Sequence, residues 1–111
     1  MISVERDNGV AIITVEEPQL QMYVIPQFKT AVKTVLDEKP KMVIFDLKIV
    51  QHVDSSAMGA LFHFQKFIKE YGGRIALANV STKVMQIFKI TKSDTNMEIF
   101  ESVARALKSA T

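Results

Sequence analysis

Met42-Val43-Ile44-Phe45-Asp46-Leu47 is a continuous apolar run broken only by Asp46. An alternating pattern would indicate a strand with one exposed face, whereas a continuous run predicts a strand buried on both faces of a parallel sheet. Arg74-Ile75-Ala76-Leu77-Ala78 is a second such run. Between them, Asp54-Ser55-Ser56 supplies N-cap residues for a helix that runs to about Tyr71 and closes with Gly72-Gly73. This order predicts a parallel strand-helix-strand unit with a right-handed crossover.

The residues before this unit predict a hairpin, a loop and a helix. Ile2-Ser3-Val4-Glu5 and the strand 10–15 flank Asn8-Gly9, a strong hairpin turn because both residues tolerate positive φ. We interpret 16–24 as a loop, since Pro18 stops the strand and the alternation after it is short. Pro26 suits the first position of a helix that ends at Lys39-Pro40.

The residues after the unit predict a third helix, a short strand and a fourth helix. Ser81-Thr82 opens the third helix, Met97-Glu98-Ile99-Phe100 is typical of an edge strand, and Val103, Ala106 and Leu107 form a helical stripe. The whole pattern predicts one α/β domain over residues 1–111. Its mixed sheet has four to five strands, an N-terminal hairpin followed by largely parallel strands, with about four helices.

Composition excludes several classes of protein. The 111 residues carry 14 Lys and Arg against 12 Asp and Glu, scattered along the chain rather than clustered as nucleic-acid binding requires. The hydrophobic share of 48% excludes a disordered chain, and the absence of cysteine excludes disulfides and thiolate sites. No apolar run approaches a membrane span of about 20 residues, and no signal peptide is evident. We expect a cytoplasmic protein that binds neither membranes nor nucleic acid.

The usual catalytic and nucleotide-binding motifs are missing. There is no phosphate loop, no dinucleotide fingerprint and no nucleophile elbow. His52, His63 and Asp54 could be imagined as metal ligands, but two solvated histidines are the simpler interpretation because no further ligand shares the spacing. We therefore expect no metal and no cofactor.

Asp54-Ser55-Ser56-Ala57-Met58-Gly59 is the segment where chemistry is most plausible. The first amides of a helix lack internal partners, and the helix dipole places partial positive charge there. A phosphate on a serine at this point would gain hydrogen bonds from those amides. The alternative is that Asp54 and one serine simply cap the helix, which is the commonest use of these residues.

The predicted second helix has an apolar side chain on its polar side. With about 100° per residue and Leu61 at zero, most apolar residues fall within roughly 80° of Leu61. Phe62, Ser55 and Lys66 fall instead on one outward strip, flanked by Met58. Phe62 is then either an anchor for a partner protein or a residue covered by the neighbouring 19–24 loop.

The chain resembles the STAS domain, the fold of bacterial anti-sigma-factor antagonists. The resemblance runs through the 42–47 strand, Asp54-Ser55-Ser56-Ala57-Met58-Gly59 and Tyr71-Gly72-Gly73-Arg74-Ile75, continues over 84–91 and fades into Ile99-Phe100-Glu101-Ser102. It implies a non-enzymatic protein that binds an anti-sigma factor with serine kinase activity. The family's phosphoserine maps to Ser55, with Ser56 as the alternative, and a serine phosphatase resets the system. Asp54, Ser56, Met58, Phe62 and Lys66 would join Ser55 in the partner surface.

The chain departs from the family pattern at two places. Ala57 stands where the family usually has Gly, and 16–21 lacks the usual Gly-Glu-Leu-Asp-like stretch. A constitutive STAS adaptor subunit of a transporter or signalling complex, without phosphoregulation, is therefore the alternative function. A small enzyme or nucleotide-binding protein that uses the strand-to-helix crevice is a third hypothesis.

Overall fold

The computed structural model describes residues 1–90 and 97–110. A five-stranded sheet has the order β1-β2-β4-β6-β7, and a separate two-stranded sheet pairs β3 with β5. The strands are β1 (Ile2–Asp7), β2 (Val10–Val15), β3 (Gln19–Leu20), β4 (Met42–Asp46), β5 (His52–Val53), β6 (Arg74–Ala78) and β7 (Glu98–Phe100). The helices are α1 (Ile25–Leu36), α2 (Ser55–Glu70), α3 (Thr82–Ile90) and α4 (Val103–Ser109).

The predicted hairpin and parallel core are confirmed. β1 pairs antiparallel with β2, while β2–β4, β4–β6 and β6–β7 are all parallel. Asn8 and Gly9 form the hairpin turn with φ values of 51° and 83°, the positive region that this turn requires. β4 is buried along its whole length, as its continuous apolar run predicts.

Strand periodicity divides the core between the two faces of the sheet. Successive side chains of a strand point to opposite faces, so Val43 and Phe45 of β4 face α1 and α2. Met42 and Ile44 face the other way, where Ala106 of α4 packs on them. α4 covers its face with few residues, since Ala106 is buried while Val103 and Leu107 are half-buried.

A buried carboxylate, Asp46, and a half-buried amide, Asn79, complete the ends of β4 and β6. The Asp46 carboxylate is 4% exposed, and its Oδ1 accepts hydrogen bonds from the Lys48 amide at 3.1 Å and the Asn79 side chain at 3.0 Å. Asn79 has a φ of 56°, a conformation that asparagine tolerates better than most residues. Asp46 therefore fixes the turns that leave both strands.

The structure corrects the sequence prediction mainly at 16–24. This segment is not a simple loop, because it contains β3 and a one-turn 3₁₀ helix over Met22–Val24. β3 pairs with β5, which was not predicted either, and a two-residue strand is too short to show in the sequence pattern. Smaller differences are that Pro26 is the second residue of α1 and that α1 ends at Leu36, before the predicted end at Lys39-Pro40, whereas α2 ends at Glu70, as predicted to within one residue. Thr91, the last residue of the stretch that resembles the STAS family at 84–91, lies outside the described residues.

Candidate functional site

Asp54 organises the start of α2. Its backbone is extended, with φ −105° and ψ −177°, and its Oδ1 accepts a hydrogen bond from the Ala57 amide at 3.0 Å. The Met58 amide donates to the Asp54 carbonyl at 3.1 Å. Asp54 is thus the N-cap of α2: its carbonyl accepts the first intrahelical bond, and its side chain pairs with the Ala57 amide, one of those that a helix start leaves without internal partners.

Ser55 is the first residue of α2, and its side chain is exposed. Ser56, the runner-up for modification, is half-buried. The exposed hydroxyl therefore lies at the positively polarised end of a 16-residue helix, where a phosphate would meet backbone amides and a favourable field.

The β3 segment is attached to this helix start by hydrogen bonds. The second carboxylate oxygen of Asp54, Oδ2, accepts from the Met22 amide at 2.9 Å, and the Asp54 amide donates to the Leu20 carbonyl at 3.3 Å. Upstream, the Pro18 carbonyl accepts from the amides of Gln51 and His52 at 2.7 and 3.2 Å. One carboxylate therefore caps α2 and holds the 3₁₀ turn beside it.

The 3₁₀ turn carries two exposed apolar side chains that the sequence interpretation missed. Met22 is 65% exposed and Tyr23 is 78% exposed, although both are large. The sequence does show an apolar Met22-Tyr23-Val24-Ile25 run, and helical spacing predicts that Ile25 is buried with Phe28, but no pattern shows that Met22 and Tyr23 are exposed. Only the tertiary structure decides the exposure of Met22 and Tyr23, through the pairing of β3 with β5 and the hydrogen bond from Met22 to Asp54.

The outward strip of α2 contains Phe62 and Lys66 but not Met58. Phe62 is 38% exposed, so the 19–24 segment does not bury it, and Lys66 one turn later is exposed. Met58, expected to flank the strip, is only 6% exposed and belongs to the core. The reason is angular, because Met58 lies three residues before Leu61 and hence about 60° from it, within the buried stripe.

The two histidines do not form a metal site in the structure. His52 is half-buried in β5, and exposed His63 packs edge-on against Phe64 with ring centroids 6.3 Å apart. Over residues 1–90 and 97–110, no three or more His, Cys, Asp or Glu side chains are grouped to hold a metal ion. The same part of the chain contains no helix long and apolar enough to cross a membrane.

A family model described as the STAS domain matches residues 1–106. The chain belongs to the STAS domain family. Among solved structures, a proposed anti-sigma factor antagonist from Thermotoga maritima superposes with a TM-score of 0.88 at 22% identity, covering 97% of this chain and 92% of that one. A sulfate transporter family protein from Wolinella succinogenes superposes with a TM-score of 0.78 at 23% identity, covering 94% and 86%. These TM-scores show that the three proteins share a fold.

A curated sequence relative is a Thermotoga neapolitana protein named as a proposed anti-sigma factor antagonist homolog. It is 26% identical over 66 residues, and the match spans 60% of this STAS domain and 58% of that relative. The STAS family and its mixed α/β fold, both predicted from the sequence, are thereby confirmed. The prediction that the protein is not an enzyme agrees with the two Thermotoga relatives, which are named as anti-sigma factor antagonists.

Proposed function

We propose that this STAS domain is an anti-sigma-factor antagonist controlled by phosphorylation of Ser55. In the unmodified state it binds an anti-sigma factor that also has serine kinase activity. Phosphorylated Ser55 releases that partner, and a serine phosphatase restores binding, all in the cytoplasm. The observation that carries the proposal is an exposed serine hydroxyl at the N-terminus of α2, beside exposed apolar side chains.

The contact area in this proposal is the docking surface, defined as Met22, Tyr23, Ser55, Phe62 and Lys66. Ser55 and Phe62 are seven residues apart on α2, or about 10 Å along the helix axis. Met22 and Tyr23 belong to this surface because the hydrogen bond between the Met22 amide and Asp54 holds their turn against the start of α2. Protein-binding surfaces are enriched in aromatic residues and methionine, and a few such residues contribute most of the binding energy, so exposed Met22, Tyr23 and Phe62 suit this role.

Phosphorylation would work through charge at this surface. A phosphoserine adds about −1.5 to −2 charges at neutral pH. A hundredfold weaker complex requires only about 2.8 kcal/mol, and burying an unpaired charge in an apolar contact costs at least that much. Asp54, next in sequence, would add to the repulsion of the partner. Because the helix start itself accommodates a phosphate, the domain need not refold.

The test compares Ser55 variants against a matched serine. The partner is the kinase-type anti-sigma factor from the same genome, and affinity is measured by calorimetry. We expect Ser55→Ala to bind like the wild type and Ser55→Asp to bind about a hundredfold more weakly. Ser56→Ala is the control: its affinity for the partner should equal that of the wild type, and mass spectrometry should still detect phosphorylation at Ser55. Equal affinities for the wild type, its phosphorylated form and Ser55→Asp would refute the switch.

A constitutive adaptor subunit is the second candidate, and the β3 segment favours it. Met22 and Tyr23 present an apolar surface from the region where the STAS family usually has a Gly-Glu-Leu-Asp-like stretch. Such a surface suits a permanent contact in a transporter or signalling complex. In that case Met22→Ser with Tyr23→Ser would weaken the complex while Ser55→Asp would leave its affinity unchanged.

A further inference from the structure

A groove of about 220 Å³ lies between α1 and α2. Its lining divides into an apolar part from both helices and a polar part dominated by basic side chains. The apolar part is Leu36, Phe64 and Phe67, and the polar part is Lys29, Thr30, Lys33 and His63. None of the five residues of the docking surface lines it.

The apolar part of the groove is held rigidly by the core. The Phe64 ring stacks on Phe45 with centroids 5.8 Å apart, and it meets Phe28 edge-on at 5.6 Å. Phe67 packs edge-on against Tyr71 at 6.0 Å, and the Tyr71 hydroxyl donates a 2.6 Å hydrogen bond to the Pro40 carbonyl. A ligand would therefore meet a preformed apolar surface and would not have to order it first.

The polar part carries positive charge and hydrogen-bond donors without a carboxylate in the lining. Lys29 and Lys33 are exposed and lie one turn apart on α1. The Lys33 ammonium pairs with Asp37 at 3.3 Å, but both side chains are more than half exposed, so the pair is weak and a bound anion can share the lysine. His63 offers a ring N–H from α2. The Thr30 hydroxyl already donates to the Pro26 carbonyl at 3.0 Å.

We propose that this groove binds a small amphipathic carboxylate that is free in solution. The short apolar tail would lie mainly on half-buried Phe67, above Phe64 and Leu36, which are each 2% exposed. The carboxylate would face Lys29, Lys33 and His63. The volume is below the roughly 300–1,000 Å³ of pockets for drug-sized ligands, so a tail of about eight carbons is the appropriate size. The proposal does not rest on the function proposed for Ser55.

Octanoate is the probe, and 1-octanol, which has a tail of the same length but no charge, is the uncharged control ligand. Each is titrated into ¹⁵N-labelled protein while amide chemical shifts are recorded. We expect octanoate to cause saturable chemical-shift changes that are confined to α1 and α2 around the groove. Octanol should bind about threefold or more weakly than octanoate, since an exposed ion pair contributes free energy on that scale. Equal binding of the two probes, shifts spread over the whole surface, or no saturation would overturn the proposal.

Variants test the two halves of the groove separately. Lys29→Gln with Lys33→Gln removes the charges at exposed positions and should reduce octanoate affinity to the level of octanol. Phe67→Ser should weaken both probes. Lys69→Gln, an exposed lysine on α2 outside the groove, is the matched control and should change nothing. Unchanged octanoate affinity in the double lysine variant would contradict the proposal even if Phe67→Ser failed to fold.

Discussion

The two ends of α2 are built in opposite ways. At its C-terminus, the Gly72 amide donates to the Lys69 carbonyl at 3.0 Å and the Gly73 amide donates to the Ile68 carbonyl at 2.9 Å. These backbone hydrogen bonds close the helix. A Cβ on Gly73 would lie 2.9 Å from Ile68 Cγ2 and 2.6 Å from the Tyr71 ring, so no side chain fits there. At the N-terminus one side chain, Asp54, makes the cap, and Ser55 is exposed.

This difference separates structural from functional requirements along a single helix. The closed end tolerates little change, whereas the open end retains amides and a hydroxyl that another molecule can reach. Substitutions at the closed end should therefore affect stability alone, and those at the open end should affect binding as well. Three predictions test this division.

The largest stability effect is expected at Gly73. Gly73→Ala places a methyl group against the buried Ile68 side chain and the Tyr71 ring, which is held by its bond to Pro40. Overpacking of this kind lowers the free energy of unfolding by about 1–3 kcal/mol, measured by urea denaturation. Partner affinity should not change.

Gly59→Ala is the matched control for Gly73, because nothing lies within 4 Å of its Cβ and it is exposed within α2. Alanine is the better helix former, so the same substitution should raise stability by roughly 0.5–1 kcal/mol. If both glycine variants changed stability in the same direction, the contrast between a closed and an open position on α2 would be wrong.

Asp54→Ala should have an intermediate effect on stability and a second effect on binding. It removes the cap of α2 and the acceptor for the Met22 amide, and the loss of a cap costs about 1–2 kcal/mol. Amide hydrogen exchange at Met22 should also accelerate, since its hydrogen-bond acceptor is gone. Asp54→Asn separates the two effects, because asparagine caps helices about as well, but its amide nitrogen cannot accept the Met22 N–H. In this variant the cap should be kept, while exchange at Met22 should still accelerate. Met22 exchange at the wild-type rate in Asp54→Ala would show that the carboxylate does not hold the turn.

The smallest loss of stability is expected for Tyr71→Phe, which removes the hydrogen bond to Pro40 and should lower the free energy of unfolding by about 0.5–1.5 kcal/mol. Burial raises the pKa of the Tyr71 hydroxyl above its ordinary value of 10.0. As pH rises, Tyr71 therefore ionises in the unfolded chain before it ionises in the folded protein. The stability that the neutral hydroxyl contributes is complete below pH 10.0 and is lost as pH rises through the pKa of Tyr71 in the folded protein. The stability of the wild type should fall more steeply than that of Tyr71→Phe above pH 10.0. Parallel pH curves for the two proteins would contradict the assignment.

Regular elements could be predicted from the sequence because their patterns are local. The continuous apolar run at 42–47 identified the central strand, Asn8-Gly9 identified the hairpin, and Asp54 identified the helix start. The same local reasoning failed at 16–24, where β3 exists only because β5 lies beside it. Met58 was misplaced although its angle of about 60° from Leu61 already lies within the buried stripe, so the sequence alone was enough to place it in the core.

The sequence by itself determined the order of the longer strands and the helices, the parallel central sheet and the position of a capping acid before Ser55. Each of these depends on periodicity or on the conformational preference of neighbouring residues. Only the tertiary structure decided that Met22 and Tyr23 are exposed beside Ser55 and that basic side chains surround an apolar groove between α1 and α2. Those arrangements join residues about 30 positions apart, and packing rather than local preference brings them together.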